Sequence, residues 1–295
     1  MKFSLKSLVV IAVTALPFAA QAHKAFLLPS TTVLTESDHK ITVDAAVSND
    51  LFYFNHVPMR LDDLQITAPD GSSVAPENVA TGAFRSVFDV PLAQPGTYRI
   101  ASVSNGVSAS WTEGGKPRRW RGSEATLKTE VPAKAKDLRV TQVANRVETF
   151  VTVGKPSLGA LATTSVGIEL VPVTHPNDLY VGEAATFKLL LDGKPTAGLK
   201  VTVIPGATRY RDQVNDITTT TDADGAFTVT WPQAGMYWLH ASLAAEREGK
   251  GDEDDNDNGD KGKAGIANRR SAKPAPVSAE RPRRVGYTAT FEVLP

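Results

Sequence analysis

"ITTTTDADGAFTVTWPQAGMYWLHASL", residues 217–243, carries the clearest sign of how this chain folds. Threonine, valine and aromatic runs alternate in it with small clusters of Asp, Gly and Pro. β-Branched and aromatic side chains suit a pleated, half-buried surface, and Asp-Gly suits tight turns because both positions tolerate positive φ. The stretch reads as short strands joined by turns, with Asp224-Gly225 as a hairpin turn. Asp192-Gly193 gives the same signal inside "ATFKLLLDGKPTAGLKVTVIP" (185–205). "GIELVPVTHPNDLYVGE" (167–183) precedes this group and "RVGYTATFEVL" (284–294) closes it.

The N-terminal half carries the same grammar. "KITVDAAV" (40–47), "LQITAP" (64–69), "AFRSVFDVPL" (83–92) and "GTYRIASVS" (96–104) are strand-like and are parted by turns such as "PDGSS" and "AQPGT". In "RVETFVTVG" (146–154), Val147, Thr149, Val151 and Val153 alternate with Glu148, Phe150 and Thr152. Residues 111–142 are less regular and read as a connection with one short helix. Short strands at close spacing predict an all-β chain of two antiparallel β-sandwich domains, 23–155 and 156–295. No helix–strand alternation of the nucleotide-binding α/β kind is present.

Two segments stand outside this pattern. Residues 1–22 open with Lys2 and Lys6, continue through an apolar stretch, Leu8 to Ala20, and end on Ala20-Gln21-Ala22. That is the layout of a secretory signal, which predicts export to the periplasm and a mature chain beginning at His23. No later stretch reaches the ~20 apolar residues a membrane-spanning helix needs. Residues 246–284 are polar: Asp252, Glu253, Asp254, Asp255, Asp257 and Asp260 come first, then a run of Lys and Arg. Such a composition buries nothing, so the segment reads as a disordered insert within a hairpin. "DNDNGD" resembles part of a calcium loop, but the twelve-residue spacing is not met.

Composition narrows the chemistry. The 32 basic and 32 acidic residues balance, which gives no electrostatic case for nucleic acid as a partner. There is no cysteine, so a disulfide, a thiolate metal site and a thiol nucleophile are all absent. Any metal must be held by nitrogen and oxygen. Neither G-x-S-x-G, H-E-x-x-H nor a phosphate-cradling glycine loop occurs, and the expectation is a protein that is not an enzyme. Trp111 and Trp120 flank "TEGGKPRR", an aromatic–basic cluster that reads as an exposed loop or, less directly, as an anion-binding patch.

Histidine at a mature N terminus has a particular capability. Its α-amine and ring Nδ1 belong to one residue and close one chelate ring on a metal. The amine releases its proton near ~7.7–8.0, so a metal displaces it readily at neutral pH. One more imidazole completes three nitrogens suited to Cu(II) or Ni(II). The candidate metal ligands are therefore His23 with His56, His240 or His175. His39, in the polar turn "ESDHK", reads as solvated.

The chain resembles the DUF4198 family, periplasmic proteins related to the NikM-like components of nickel and cobalt uptake. The resemblance rests on "AHKAFLLPS", "RVETFVTVGKPS", "GIELVPVTHPNDLYVGEAATFKLLLDGKPTAGLKVTVIP" and "TTTDADGAFTVTWPQAGMYWLHAS". It implies a β-rich periplasmic protein that handles a divalent transition metal (Ni, Co or Cu), with a metal permease or a TonB-dependent uptake system as partner. Members commonly begin with this Ala-His junction, and many carry a histidine after the first sheet segment, near which His56 sits without the usual preceding glycine. The stretch from Asp192 to Leu239 is also similar to transthyretin-like or carboxypeptidase-regulatory-like β-sandwich modules, which supports a sandwich of the immunoglobulin-like or transthyretin-like kind. Two other functions remain in view: a structural adaptor that binds no metal, and a copper oxidase or monooxygenase built on a histidine brace.

Overall fold

The structure is a computed structural model and describes residues 23–37, 39–243 and 281–295. The expected signal peptide and nearly all of the expected insert, including its acidic run, lie outside the described residues. The N-terminal half contributes β1 (Lys24–Pro29), β2 (Val33–Leu34), β3 (His39–Ser48), β4 (Val57–Pro58), β5 (Leu64–Thr67), β6 (Glu77–Thr81), β7 (Ser86–Leu92), β8 (Gly96–Glu113), β9 (Lys116–Gly122), the helix α1 (Glu124–Glu130) and β10 (Lys136–Val153). The C-terminal half contributes β11 (Ile168–Pro172), β12 (Ala184–Leu191), β13 (Lys194–Pro195), β14 (Lys200–Pro205), β15 (Ile217–Thr220), β16 (Ala226–Thr230), β17 (Gly235–Leu243) and β18 (Arg283–Val293). The all-β expectation holds, and among the described residues no helix is long and apolar enough to cross a membrane.

The strands form three sheets. A long sheet runs β15-β14-β17-β18-β10-β8-β5, with β2 added to β10 and β9 added to β8. A second runs β1-β3-β7-β6, with β4 on β3, and a third joins β11, β12, β13 and β16. Two cores hold them together. One packs Leu27, Val43, Phe88 and Val90 of the second sheet against Tyr98, Ile100, Val151 and Val153 of the long sheet. The other packs Phe187, Leu189 and Phe227 of the third sheet against Tyr237, Leu239, Tyr287 and Phe291 of the long sheet. On β10, Val151 and Val153 face the first core while Ala144 and Phe150 face the second. The long sheet is thus the middle of three layers.

This arrangement revises the expected division at residue 155. The boundary separates the chain in order, but the two sandwiches share one sheet. It also explains the burial of β10, whose two alternating residue sets are both covered from Arg146 on, apart from half-buried Val147. The polar-looking register of "RVETFVTVG" faces a second core rather than water. Among the described strands, two seams depart from the antiparallel rule: β10 runs parallel to β18, with Val147 opposite Thr288, and parallel to the short β2, with Thr152 opposite Val33.

The turn signals divide. Asp192 (φ 52°) and Gly193 (φ 78°) do close a hairpin, with Leu191 opposite Lys194. The Asp192 carboxylate accepts from the Gly167 N–H at 2.9 Å and pairs with the Arg283 guanidinium, which holds its pKa below the usual carboxylate value. Asp224-Gly225 makes a turn of a different kind. β15 joins the long sheet and β16 the third sheet, so the turn carries the chain between layers. Residues 111–142 are more regular than expected: β8 and β9 form a hairpin through Gly114 (φ 57°) and Gly115 (φ 75°), and α1 follows. The expected insert ends earlier than 284, since Arg283 and Arg284 already belong to β18, paired antiparallel with β17.

Candidate metal centre

The second sheet places two of the four candidate histidines together. β3 is flanked by β1 on one side and β4 on the other, with Lys24 opposite Ser48 and Val57 opposite Val47. His23 and His56 each precede those flanking strands by one residue, so both arrive at the same end of β3. Their imidazoles stack with centroids 3.8 Å apart and planes 8° apart. His23 is exposed and His56 half-buried.

The loop between β3 and β4 sets the position of His56. The Asn55 side chain closes it, with Oδ1 accepting from the Asn49 N–H at 3.0 Å and Nδ2 donating to Asp50 Oδ2 at 2.7 Å. Phe52 adopts φ 62°, a strained conformation for a bulky residue. Its ring meets Phe26 of β1 edge-on at 5.2 Å, burial that offsets the strain. Gly206 leaves the room for this: a Cβ there would come within 3.1 Å of the Phe52 ring. Tyr53 meets Tyr210 edge-on at 5.9 Å, and the Arg85 guanidinium lies 4.5 Å from the centre of the Phe54 ring. The loop is thereby anchored to both halves of the chain.

β1 is anchored from beneath. Trp238 of β17 is buried with Phe26, Ala46, Leu51 and Ile204, and its Nε1–H donates to the Ala25 carbonyl at 2.9 Å. His240, the third candidate, lies two residues along the same face and stacks on Trp238 with centroids 5.2 Å apart. Its Nδ1 lies 3.2 Å from Thr288 Oγ1, and burial lowers its pKa from the ordinary 6.5. His240 therefore sits on the long sheet, stacked on the Trp238 that holds β1.

His175 lies elsewhere. Its Nδ1 accepts from the Asn177 N–H at 3.1 Å, which makes Nε2 the protonated nitrogen, donating to the Ser157 carbonyl at 3.3 Å and facing Thr97 Oγ1 at 3.0 Å. Both nitrogens are engaged in joining β8, the 155–160 loop and the 173–178 loop, so neither lone pair is open to a metal. His39 opens β3 and is exposed, as expected.

Among the described residues, no group of three or more His, Asp or Glu side chains is placed to hold a metal ion. The donor set at His23 and His56 is two imidazoles, and the third nitrogen has to be the His23 α-amine. The set suits a borderline nitrogen-seeking cation, and only in a chain cut after Ala22. In the stacked arrangement the ring lone pairs lie in nearly parallel planes, so both reach one ion only after one ring turns. A groove of about 500 Å³ opens beside β4, lined by residues that include Met59, Arg60, Val79 and Thr81, and it contains none of the four histidines.

Fold and site together define a class: a three-layer all-β protein with paired histidines at one strand end. The chain belongs to the DUF4198 family, whose model, a domain of unknown function, matches residues 20–245. A comparison with curated protein sequences finds no match. Among solved structures, the D0–D1 domain of intimin is similar over 90% of this chain and 96% of its own, at 11% identity and a TM-score of 0.20. A marsupial T cell receptor is similar over 78% of this chain and 69% of its own, at 11% identity and a TM-score of 0.17. The architecture rests on the strand order given above and not on these likenesses.

Proposed function

We propose that this is a non-enzymatic periplasmic protein that captures a divalent transition metal, Ni(II), Co(II) or Cu(II), and presents it to an uptake system. His23 supplies its amine and one imidazole nitrogen, and His56 supplies the other imidazole. The observation that carries this reading is the convergence of His23 and His56, thirty-three positions apart in sequence, at one end of β3. An ion held there is exposed enough to be handed on, and the rigid aromatic packing of the 49–56 loop keeps the second ligand in place.

The protein's part is recognition and release, with the metal as cargo. Trp238 fixes β1 through Ala25, and the Asn55 and Phe52 contacts fix the approach of His56. The direct test is titration of mature protein, beginning at His23, with each of the three ions. One ion bound per chain, with loss in His23→Ala and in His56→Ala, supports the reading. Unchanged affinity in both variants overturns it.

A further inference from the structure

We infer that the outer part of the long sheet docks on a planar anionic lipid surface through three arginines, Arg119, Arg121 and Arg139. β8, β9 and the start of β10 extend as a three-stranded arm. One face of the arm is apolar: Val107, Ala109 and Trp111 of β8, Trp120 of β9, and Leu138 and Val140 of β10 pack with Leu127 and Val131 at α1. A strand's side chains alternate, so the intervening residues occupy the other face. There the register sets Arg119 and Arg139 on either side of Ser110, and Arg121 opposite Ser108, which in turn faces Thr141. All three arginines are exposed, and among the described residues none of them is in an ion pair with a carboxylate.

Packing and register agree on which side chains share this face. Strand spacing puts the Arg119 and Arg139 backbones about 10 Å apart across β8, and Arg119 and Arg121 about 7 Å apart along β9. The array extends in two dimensions, and the side chains between its members are short hydroxyls. Lys136, opposite Thr112, continues it toward the tip. Asp137, which accepts from Thr112 Oγ1 at 3.0 Å, is an acid at the margin. A linear polyanion would engage one row of such an array, whereas a plane of phosphate headgroups engages all of it. No large apolar side chain stands on this face, so the contact is electrostatic and peripheral. The guanidinium fork matches phosphate oxygens in pairs. α1 covers the opposite face, which leaves the cationic one to meet a surface.

The test uses the full mature protein and vesicles in co-sedimentation. Vesicles of phosphatidylcholine alone are compared with vesicles containing phosphatidylglycerol, at low and at 0.5 M salt, with soluble heparin as a competing polyanion. The expected result is binding to the anionic vesicles only, lost at high salt. Each cation near an anionic surface raises partition about fivefold, so R119S/R121S/R139S reduces it by about 100-fold. The control K155S/K194S/K200S removes the same charge from exposed positions elsewhere and leaves binding within a few-fold. Circular dichroism confirms that both variants fold. Absence of vesicle binding, equal loss in the two triple variants, or tight binding to heparin without binding to vesicles each overturns the proposal.

Discussion

The His23 and His56 imidazoles stack at 3.8 Å with nearly parallel planes, across the end of a strand that neither residue belongs to. Each is delivered by the strand it precedes, β1 or β4, and those two strands never pair with each other. The contact is therefore a property of β3, which both flank. If the pair holds a metal, removing either ring removes a ligand. Loss of a residue that merely orients a ligand typically weakens binding about 10–100-fold, and loss of a ligand itself should exceed that, at roughly 100-fold or more. Isothermal titration of His23→Ala and His56→Ala checks this, with His39→Ala expected to behave as wild type.

The terminal amine is separable from the imidazole. A mature chain acetylated at its α-amine keeps both rings and removes the amine as a donor. We expect its affinity to fall as far as that of His23→Ala. An acetylated chain that binds as tightly as the native one shows that the amine is not a ligand.

Trp238 connects the lower layer to the site through one hydrogen bond. Trp238→Phe keeps much of the apolar contact with Phe26 and Ile204 but leaves the Ala25 carbonyl without its donor. The stability loss is expected at about 1–3 kcal/mol, the range for an orphaned buried acceptor together with reduced packing. Metal affinity should fall in the same variant with every ligand intact. Denaturant unfolding and metal titration on one preparation measure both effects.

A second buried cluster governs stability rather than the site. Arg146 is 4% exposed, Glu148 2% and Glu169 2%. The Arg146 guanidinium reaches Glu169 Oε1 at 3.0 Å and Glu148 Oε2 at 3.4 Å, and the Tyr287 hydroxyl donates to Glu148 Oε1 at 2.6 Å. Burial and the Glu148 charge push the Tyr287 pKa well above its ordinary value. Arg146→Met strands two buried carboxylates, and the expected loss is about 3–5 kcal/mol. The triple change R146M/E148L/E169L removes the charges together but leaves the Thr164 and Ser165 N–H groups and the Tyr287 hydroxyl without their acceptors, so it should recover only part of that loss. Urea unfolding of both variants decides it.

Histidine burial makes stability depend on pH in a fixed direction. Burial lowers the pKa of His240 and of His175 below the ordinary 6.5. Below that value the unfolded chain takes up protons that the folded chain does not, so stability falls as pH drops, until the lowered folded values are passed. Above about 7 the two groups contribute no slope. His240→Phe keeps a ring on Trp238 and removes one titration. Its melting temperature should therefore decline less steeply than wild type between pH 7 and pH 5. An unchanged slope would show that His240 titrates alike in both states.

The all-β class is legible in the sequence, because β-branched alternation and Gly-containing turns are local signals. The sequence also placed the Asp192-Gly193 hairpin, one short helix somewhere within residues 111–142 and the pairing of the strands that flank the long insert. It offered His23, for its mature amine, as one ligand and His56, His240 or His175 as the other, with nothing local to choose among those three. The tertiary structure sets His56 against His23, because strand pairing on β3, and no local signal, delivers both rings to one strand end. Both nitrogens of His175 are engaged by Ser157 and Asn177, and half-buried His240 stacks on Trp238. The tertiary structure also decided that Asp224-Gly225 joins two sheets and that both sandwiches share the long sheet. Turn chemistry fixes the bend of a chain but not the partner of the strand that follows it, and that partner is chosen by burial across residues far apart in sequence.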